Sequence, residues 1–477
     1  MKILFLILNF YTFIFLSKCC TSFDLKEVSS KYNLQLASKS LLENVDLNLD
    51  PCDNFYKFSC GTWIKAKEME SINGKNFPYS NIGTNFINFL NESLVGKYDG
   101  ESDAIKTINN LRKKCAILPD DNKKETCDKT IKEFGLYAIA SLFLSKNKVD
   151  NDKHKDYAVI QDMVRRIKEE FRLLIDEKKD IFDDKSRDNL LRKLYETEFT
   201  TKFDEDNISN VLLMENCYKE IEISENDSIE KVLENIESLL KLNHSSLSCG
   251  EKIFKATTYL GYLMTALYAR EYNKFFVSSN VLEDPWFSRY FPFSLNYGNI
   301  GFVIAHEISH AFDSNNYKRI FGPDKKSTII LTPESIENAE KKIECFVKQY
   351  GDQKEGLTGL NINGTLTLPE NIADNGGLKI AHRAYMKYLQ SIGGEEPKVP
   401  GFEKFSSEQL FFISFGRTFC EHNSKENLEE QIKTDPHTPA ELRIIMALSN
   451  YKPFSNAFKC ELNSKMNPGE KCELWQN

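Results

Sequence analysis

Apolar residues recur at helical spacing through much of the first 250 positions. Residues 157–175 carry one apolar stripe with charged residues opposite, and residues 229–242 repeat the arrangement. A period of 3.6 residues is typical of amphipathic helices that bury one face. A further helix is predicted within residues 41–63, where Cys52 and Cys60 lie eight residues apart. This part of the chain is therefore expected to be mostly helical, without a catalytic signature of its own.

Past residue 250 the pattern changes. Residues 253–268 are apolar enough to predict a buried helix, and residues 274–282 are rich in β-forming side chains and predict a strand. Thr332 followed by Pro333 is typical of a helix start. Another helix is predicted over residues 406–431. The fold class is therefore expected to be mainly α with a small β part.

The N-terminus is typical of a secretory signal. Lys2 precedes an apolar run over residues 3–16, and small or short residues follow it. This run is shorter than the about 20 apolar residues of a membrane span, and no other segment is apolar enough. We expect cleavage near Cys20 and no stable membrane span afterwards; the alternative is an uncleaved signal anchor. The predicted divisions are a signal peptide at 1–21, an N-terminal helical domain at 22–250 and a C-terminal catalytic domain at 251–477.

Sequons and cysteines also favour export. Five N-x-[ST] sequons occur, at Asn91, Asn207, Asn226, Asn243 and Asn363. Signal cleavage would leave ten of the twelve cysteines, an even number without a CxxC pair, which favours five disulfides over a metal cluster. The net charge is −8 and acidic and basic residues are interspersed, so no nucleic-acid partner is expected. We therefore predict a secreted glycoprotein.

The motif His306-Glu307-Ile308-Ser309-His310 carries the candidate chemistry. Two histidines four apart on a helix share one face, which is the spacing at which two imidazoles bind one zinc ion. The intervening Glu307 lies close enough to act on the zinc's water without being a ligand. The alternative is an accidental surface helix. One zinc ion per chain is expected.

A catalytic zinc usually takes three protein ligands, and Glu370 is the candidate for the third. Asp374 lies four residues further and would share its helix face, where it would accept a hydrogen bond from a ligating imidazole. Asp313, three residues after His310, is a second carboxylate candidate for that role. The alternative for this acidic helix start is a simple complement to the helix dipole.

A tetrahedral oxyanion needs stabilisation besides zinc. His437 is the candidate, with Asp435 near enough to orient or charge it. Arg443 is a candidate for holding a substrate carbonyl or carboxylate. A lone surface histidine would look the same in sequence.

These residues lie in segments that resemble the neprilysin family of zinc peptidases. The matching segments are SLNYGNIGFVIAHEISHAFD, LPENIADNGGLKIAHRAY, IKTDPHTPAELRI, FSNAFKCELNSKMNPGEKCELW and, near the N-terminus, PCDNFYKFSCGTW. The resemblance implies a thermolysin-like catalytic domain roofed by a second helical domain that restricts entry to peptides. It implies that His306, His310 and Glu370 bind zinc and that Glu307 is the general base. It also implies that Asp374 holds a ligating imidazole from outside the metal's ligands, that His437 stabilises the transition state and that Arg443 binds the substrate backbone.

The resemblance also implies disulfides. The family pattern carries over to Cys52–Cys460, Cys60–Cys420 and Cys345–Cys472. Cys115 lacks its usual family partner, so Cys127 is expected to replace it across a charged loop, which leaves Cys217 with Cys249.

The chain departs from the family in length. The similarity crosses a deletion of about 200 residues, a full domain's worth, between Leu142 and Tyr157. Much of the roof domain is therefore expected to be absent. Three explanations stand beside one another: an unusually open cleft, a degenerate paralogue, or a sequence that has lost exons.

The substrate-binding edge departs as well. Thr265 precedes Ala266 where the family has an asparagine, and one hydroxyl grips a peptide backbone less fully than an amide. The strand at 274–282 is still expected to present an edge to an extended peptide. The pocket after the scissile bond is expected to be lined by Val281, Trp286, Phe302 and Val303. Because two of these side chains are bulky for the family, the pocket should be shallow and prefer Leu, Val or Ala over Phe.

Pro369 also replaces a family glycine, and proline suits a helix's first turn.

The leading hypothesis is a secreted zinc endopeptidase that cleaves on the amino side of apolar residues of peptide substrates. Its chief competitor is a weakly active or inactive secreted paralogue that binds peptides or a protein. An intracellular zinc-binding structural module conflicts with the signal peptide.

Overall fold

The computed structural model describes most of the chain. The described residues are 32–72, 79–80, 84–154, 156–200, 208–221, 223–224, 226–245, 248–256, 266–278, 282, 284–322 and 326–475. The predicted signal peptide, Asn207, Thr265 and Val281 lie outside them. Among the described helices, none is both long and apolar enough to cross a bilayer. The predicted fold class is confirmed, since the protein is mainly helical with few strands.

One hydrophobic cluster, the main core, combines early and late parts of the chain. Its early helices are α1 (Leu34–Leu42), α2 (Phe55–Ile72), α6 (Asp156–Glu177) and α7 (Asp184–Glu196). The predicted helix at 157–175 is confirmed as α6, and it buries the apolar stripe that predicted it. The prediction of one helix within 41–63 is wrong in part, because the chain leaves α1 at Leu42 and α2 begins only at Phe55. Pro51 and the Cys52 disulfide lie in the intervening loop.

A second cluster, the helical lobe, forms around helices between residues 84 and 256. Its members are α3 (Thr84–Leu94), α4 (Asp103–Ala116), α5 (Asp121–His154), α8 (Val211–Glu220), α9 (Ile229–Leu240) and α10 (Cys249–Phe254). The predicted helix at 229–242 is confirmed as α9. The chain thus runs from the main core into the lobe, back through α6 and α7, and into the lobe again. The predicted boundary near residue 250 stays a prediction.

Three small sheets occur among the described residues. The largest has the order β2-β4-β3, in which β2 (Glu198–Thr200) runs parallel to β4 (Lys274–Val277) and β3 (Ala266–Ala269) runs antiparallel to it. The predicted strand at 274–282 is confirmed over Lys274–Val277, whereas the described Ser278 and Leu282 lie outside it. The expectation that this strand presents a free edge is wrong over 274–277, because β4 pairs with β2 on one side and with β3 on the other. The predicted helix at 253–268 is wrong at its end, because residues 266–269 pair with β4. An apolar run of this length does not distinguish a buried helix from a buried strand.

The remaining elements lie between residues 293 and 458, and most of them contribute side chains to the main core. They are α11 (Phe293–Asn296), a π-helix (Tyr297–Gly301), α12 (Phe302–Ser309), a 3-10 turn (His310–Phe312), β5 (Arg319–Phe321), β6 (Ser327–Ile329), α13 (Pro333–Gly351), α14 (Leu368–Ser391), α15 (Ser407–Gly416), a 3-10 turn (Arg417–Phe419), β7 (Glu421–His422), α16 (Lys425–Thr434), α17 (Ala440–Asn450) and α18 (Lys452–Phe458). Strand β5 pairs with β6, and β7 pairs with β1 (Tyr79–Ser80).

Local sequence explains several of these boundaries. The Thr332 side chain accepts from the Ser335 N–H and Pro333 opens α13, as predicted. Pro369 lies in the first turn of α14, as expected. A single helix over 406–431 is wrong, because α15 stops at Gly416 and the chain turns into β7. The buried Cys420, bonded to Cys60, holds the chain at this turn.

Five disulfides connect the described cysteines. Three join sequence-distant parts of the main core: Cys52–Cys460, Cys60–Cys420 and Cys345–Cys472. Two lie within the helical lobe: Cys115–Cys127 and Cys217–Cys249. The segment between Cys115 and Cys127 is a helical hairpin of α4 and α5 rather than the expected charged loop. The first two pairs close loops of 408 and 360 residues, and cross-links of that span restrict the unfolded chain strongly.

Candidate metal centre

The helix that carries His306 is buried from end to end. Residues 293–309 form one continuous helical run, in which a π-helical segment at Tyr297–Gly301 separates α11 from α12. Its start is capped by the Glu396 carboxylate, which accepts from the N–H groups of Phe293 at 2.6 Å and Ser294 at 2.8 Å. A helix that is apolar on all sides belongs in a core. The core therefore fixes the direction in which the His306 ring points.

Helix α14 crosses α12 at this histidine because Gly377 has no side chain. A Cβ atom at Gly377 would lie 2.8 Å from the His306 backbone nitrogen and 2.9 Å from its Cα. These are backbone atoms, so no side-chain rotation would relieve the contact. The close crossing brings Glu370 and Asp374, both on α14, beside the histidine.

Three candidate ligand atoms converge between the two helices. The Nε2 atoms of His306 and His310 lie 3.1 Å apart, and Glu370 Oε2 lies 3.3 Å from the first and 3.5 Å from the second. Zinc bonds of about 2.0–2.1 Å in a tetrahedron place neighbouring ligands about 3.4 Å apart. The three separations therefore fit a tetrahedral zinc ion.

The Glu370 oxygen itself supports this fit. Its Oε2 atom is buried and, although three imidazole nitrogens lie within 3.5 Å, no N–H is aimed at it. A buried carboxylate oxygen without a hydrogen-bond donor is costly unless a cation satisfies it. Burial raises the pKa of Glu370, but His310, His306 and His437 outweigh it and hold that pKa well below its usual range. The carboxylate is thus ionised, as a metal ligand must be.

Each histidine turns its other nitrogen toward a carboxylate. His310 Nδ1 lies 2.9 Å from Asp313 Oδ2, and His306 Nδ1 lies 3.0 Å from Asp374 Oδ1, although the N–H of His306 is not aimed directly at that oxygen. A carboxylate only accepts, so it favours a proton on Nδ1 and a lone pair on Nε2. Both imidazoles are therefore oriented to present Nε2 to the same point.

Glu307 lies on α12 between the two histidines and is nearly inaccessible to solvent. Burial raises the pKa of its carboxyl, and the neighbouring His306 and His310 oppose that shift. No hydrogen bond or ion pair engages its side chain within the described part of the chain. The carboxylate is therefore available to receive a proton.

His437 approaches the same centre from the loop before α17. Its Nε2 lies 3.1 Å from Glu370 Oε2, and its Nδ1 lies 2.7 Å from Asp435 Oδ1. Burial lowers the pKa of His437, but the contacts with Asp435 and Glu370 outweigh it and raise that pKa to about 9. The side chain is 43% exposed, so part of the ring remains accessible to a substrate.

Arg443 is held more tightly than the sequence indicated. Its Nε and Nη2 donate to the two oxygens of Asp374, both at 2.7 Å, and the guanidinium lies 4.2 Å from the Phe419 ring. Two of its five N–H groups are thus engaged by Asp374, and both on Nη1 and the second on Nη2 remain for another acceptor. Sequence reasoning missed both Phe419 and the Arg443–Asp374 pair, because nothing in the local spacing indicates either contact.

Three of the four residues predicted to line the substrate pocket are described, and so is Ala266 of the predicted substrate-binding edge. Trp286, Phe302 and Val303 are buried, and Ala266 lies in β3, opposite Val277 of β4. The Phe302 ring packs edge-on against Phe415 at 4.7 Å and Phe419 at 5.7 Å. Phe302 therefore fills space next to His306, whose ring centroid lies 5.9 Å away.

Comparisons with known proteins identify the family that the chain resembles. The model of Peptidase family M13 matches residues 265–474. Human neprilysin is 34% identical over 340 residues, which cover 71% of this chain and 44% of that protein. The chain thus spans less than half the length of this curated relative.

Two solved structures are similar in fold. Mycobacterium tuberculosis zinc metalloprotease ZMP1 in its open state gives a TM-score of 0.53 at 21% identity, covering 75% of this chain and 53% of that one. A chain of the Haemonchus galactose-containing glycoprotein complex gives 0.55 at 17% identity, covering 93% of this chain and 99% of that one. The second similarity extends over nearly the whole of both chains, so the fold of the Haemonchus chain resembles this one over almost its full length.

Proposed function

Because the chain belongs to peptidase family M13, we propose that it is a zinc-dependent endopeptidase that cleaves peptides on the amino side of apolar residues. The observation that carries the proposal is the convergence of His306, His310 and Glu370 at separations suited to tetrahedral zinc. Asp374 and Asp313 support it, since each faces the outer nitrogen of one histidine.

Residue roles follow from position. Bound zinc would lower the pKa of a water molecule to about 7 and polarise the scissile carbonyl. Glu307 would take a proton from the attacking water and deliver it to the leaving amine, because it is buried beside both histidines and its raised pKa suits proton transfer. His437, protonated at neutral pH, would donate to the developing oxyanion from Nε2. Arg443 Nη1 would hold a substrate carbonyl.

The substrate preference rests on the pocket next to α12. A pocket lined by the bulky Trp286 and Phe302 would be shallow, so we expect Leu, Val or Ala to be preferred over Phe after the scissile bond. Strand β3 would pair with the peptide backbone, with Thr265 contributing one hydroxyl. A peptide library cleaved mainly before Phe or Trp would contradict this preference.

The proposed compartment is extracellular. The predicted signal peptide, the five disulfides and the sequons support it. Asn91, Asn226, Asn243 and Asn363 are all exposed, as glycan acceptors must be. Secretion would be tested by expressing the full chain in animal cells and looking for glycosidase-sensitive protein in the medium.

A quenched peptide with an apolar residue after the scissile bond tests the activity. Protein produced from residue 22 onward should cleave it, lose activity to a chelator and recover with zinc. Glu307→Gln should retain zinc and lose about 10²–10⁴-fold in kcat. The matched control is Glu334→Gln, at an exposed position in the first turn of α13. Folded, zinc-loaded protein without turnover would instead favour the peptide-binding paralogue.

A further inference from the structure

A buried hydrogen bond joins the loop that carries His437 to the helix that carries Glu370. Thr438 Oγ1 donates to Asn371 Oδ1 at 2.8 Å, and both side chains are almost fully buried. We propose that this bond is a positioning device that holds the His437 ring at the metal centre. The inference rests on the proposed function, because His437 is assigned there to oxyanion stabilisation.

The direction of this bond is fixed by its neighbours. Asn371 Nδ2 donates to Thr367 Oγ1 at 2.9 Å, and Thr367 Oγ1 donates its own hydrogen to the Asn363 carbonyl at 3.1 Å. Since that hydroxyl has one hydrogen, it must accept from the Asn371 amide. Asn371 therefore presents its carbonyl oxygen to the loop, and Thr438 must be the donor.

Apart from the His437 ring, whose Nε2 lies 3.1 Å from Glu370 Oε2, the other polar contacts of the loop do not reach α14. The His437 N–H and ring both contact Asp435 Oδ1, which lies in the same loop. Gln431, on α16, donates to the His437 carbonyl at 3.4 Å, and the Ala440 N–H donates to Glu421. Arg443 does reach α14, but from the helix that follows the loop. Within the described loop, Thr438 therefore provides the hydrogen bond that ties the backbone next to His437 to α14.

The position of the bond explains why it matters. Thr438 follows His437 directly and Asn371 follows Glu370 directly, so the bond constrains the 3.1 Å separation between His437 Nε2 and Glu370 Oε2. Because the His437 ring is 43% exposed, packing alone does not hold it. A displacement of about 1 Å in a catalytic group costs about 10²-fold in rate. Loss of the bond should therefore reduce transition-state stabilisation more than substrate binding.

Thr438→Val tests the bond, since it removes the hydroxyl at nearly constant shape, and Thr438→Ser retains the donor. We expect Thr438→Val to lower kcat about 10–100-fold, with KM and bound zinc nearly unchanged, and Thr438→Ser to stay near the parent. In a His437→Ala background, Thr438→Val should have little further effect on kcat. Equal losses in Val and Ser, or a full additional loss in the His437→Ala background, would overturn the proposal.

Binding measurements separate this proposal from the function it rests on. A phosphinic peptide resembles the tetrahedral transition state, whereas its amide counterpart resembles the ground state. Thr438→Val should weaken binding of the phosphinic peptide about 10-fold or more and leave the amide peptide within about twofold. Unchanged phosphinic affinity would refute the positioning role even if the parent protein shows no turnover. Absence of turnover with intact discrimination would refute the peptidase proposal alone. Thermal unfolding of each variant confirms that it is folded.

Discussion

Asp374 and Asp313 face equivalent nitrogens of the two histidines but differ in their second partners. Asp374 is almost fully buried and carries the Arg443 guanidinium on both oxygens at 2.7 Å. Asp313 uses its other oxygen, Oδ1, to accept the backbone N–H groups of Asn315 at 2.8 Å and Asn316 at 3.0 Å. The same substitution to asparagine should therefore have different consequences at the two positions.

Both substitutions should weaken zinc binding. An asparagine amide can donate to an imidazole nitrogen, which moves the ring proton to Nε2 and removes the lone pair that the metal needs. Carboxylate partners of this kind typically change metal affinity about 10–100-fold, equivalent to about 1.4–2.7 kcal/mol. We expect a loss in this range for Asp374→Asn and for Asp313→Asn.

Only Asp374→Asn should greatly destabilise the metal-free protein. It leaves the Arg443 guanidinium, 11% exposed, without a neutralising charge. Breaking a buried ion pair costs about 3–5 kcal/mol, and one retained hydrogen bond favours the lower end of that range. An asparagine at 313 retains an oxygen for the two backbone donors, so its cost should stay below about 1 kcal/mol.

Two assays separate these effects. Competition with a chromophoric chelator measures zinc affinity, and urea unfolding of the metal-free protein measures stability. The two variants should lose zinc affinity to a similar extent, and their free energies of unfolding should differ by at least about 2 kcal/mol. Equal destabilisation would refute the assigned role of the Arg443–Asp374 pair. Unchanged zinc affinity in both variants would refute the role of these carboxylates at the metal centre.

Two further predictions concern the surroundings of the centre. Burial lowers the pKa of Lys193 to about 7, although Asp313 opposes the shift, while the unfolded value is about 10.4. Between these two pKa values the unfolded chain binds one more proton than the folded chain, so burying Lys193 destabilises the fold fully below pH 7 and progressively less toward pH 10. The free energy of unfolding in urea should therefore rise from pH 7 through pH 8 to pH 9. Lys193→Met should reduce this dependence of stability on pH. An unchanged slope in the variant would contradict the assignment. Gly377→Ala should separate α14 from the His306 backbone and lower both stability and zinc content, as followed by thermal unfolding and metal analysis; a fully zinc-loaded variant of parental stability would contradict the close crossing.

The centre's residues were predictable where the chemistry is local. The histidine pair four residues apart, and the Glu370–Asp374 pair at the same spacing, each depend on one helical turn. The family resemblance indicated that these two segments meet at one metal ion, which spacing alone did not indicate. The Thr438–Asn371 bond spans 67 residues and involves types common in any helix start, so no sequence pattern indicates it.

The fold shows the same division. Periodicity located α6 and α9, but it did not indicate that α6 joins the main core while α9 joins the helical lobe. Strand β3 was predicted as the end of a helix because it continues the apolar run that begins at residue 253, and pairing with β4 decides its conformation. Tertiary contacts therefore decide where a helix packs and whether an apolar run forms a strand.

The central claim is that one zinc ion lies between His306, His310 and Glu370. Crystals of the zinc-loaded protein, measured above and below the zinc absorption edge, test it most directly. One anomalous peak per chain is expected at about 2.0–2.2 Å from the two Nε2 atoms and the Glu370 oxygen, and this peak should be lost in His310→Ala. Zinc at another position, or a peak that persists in His310→Ala, would contradict the account.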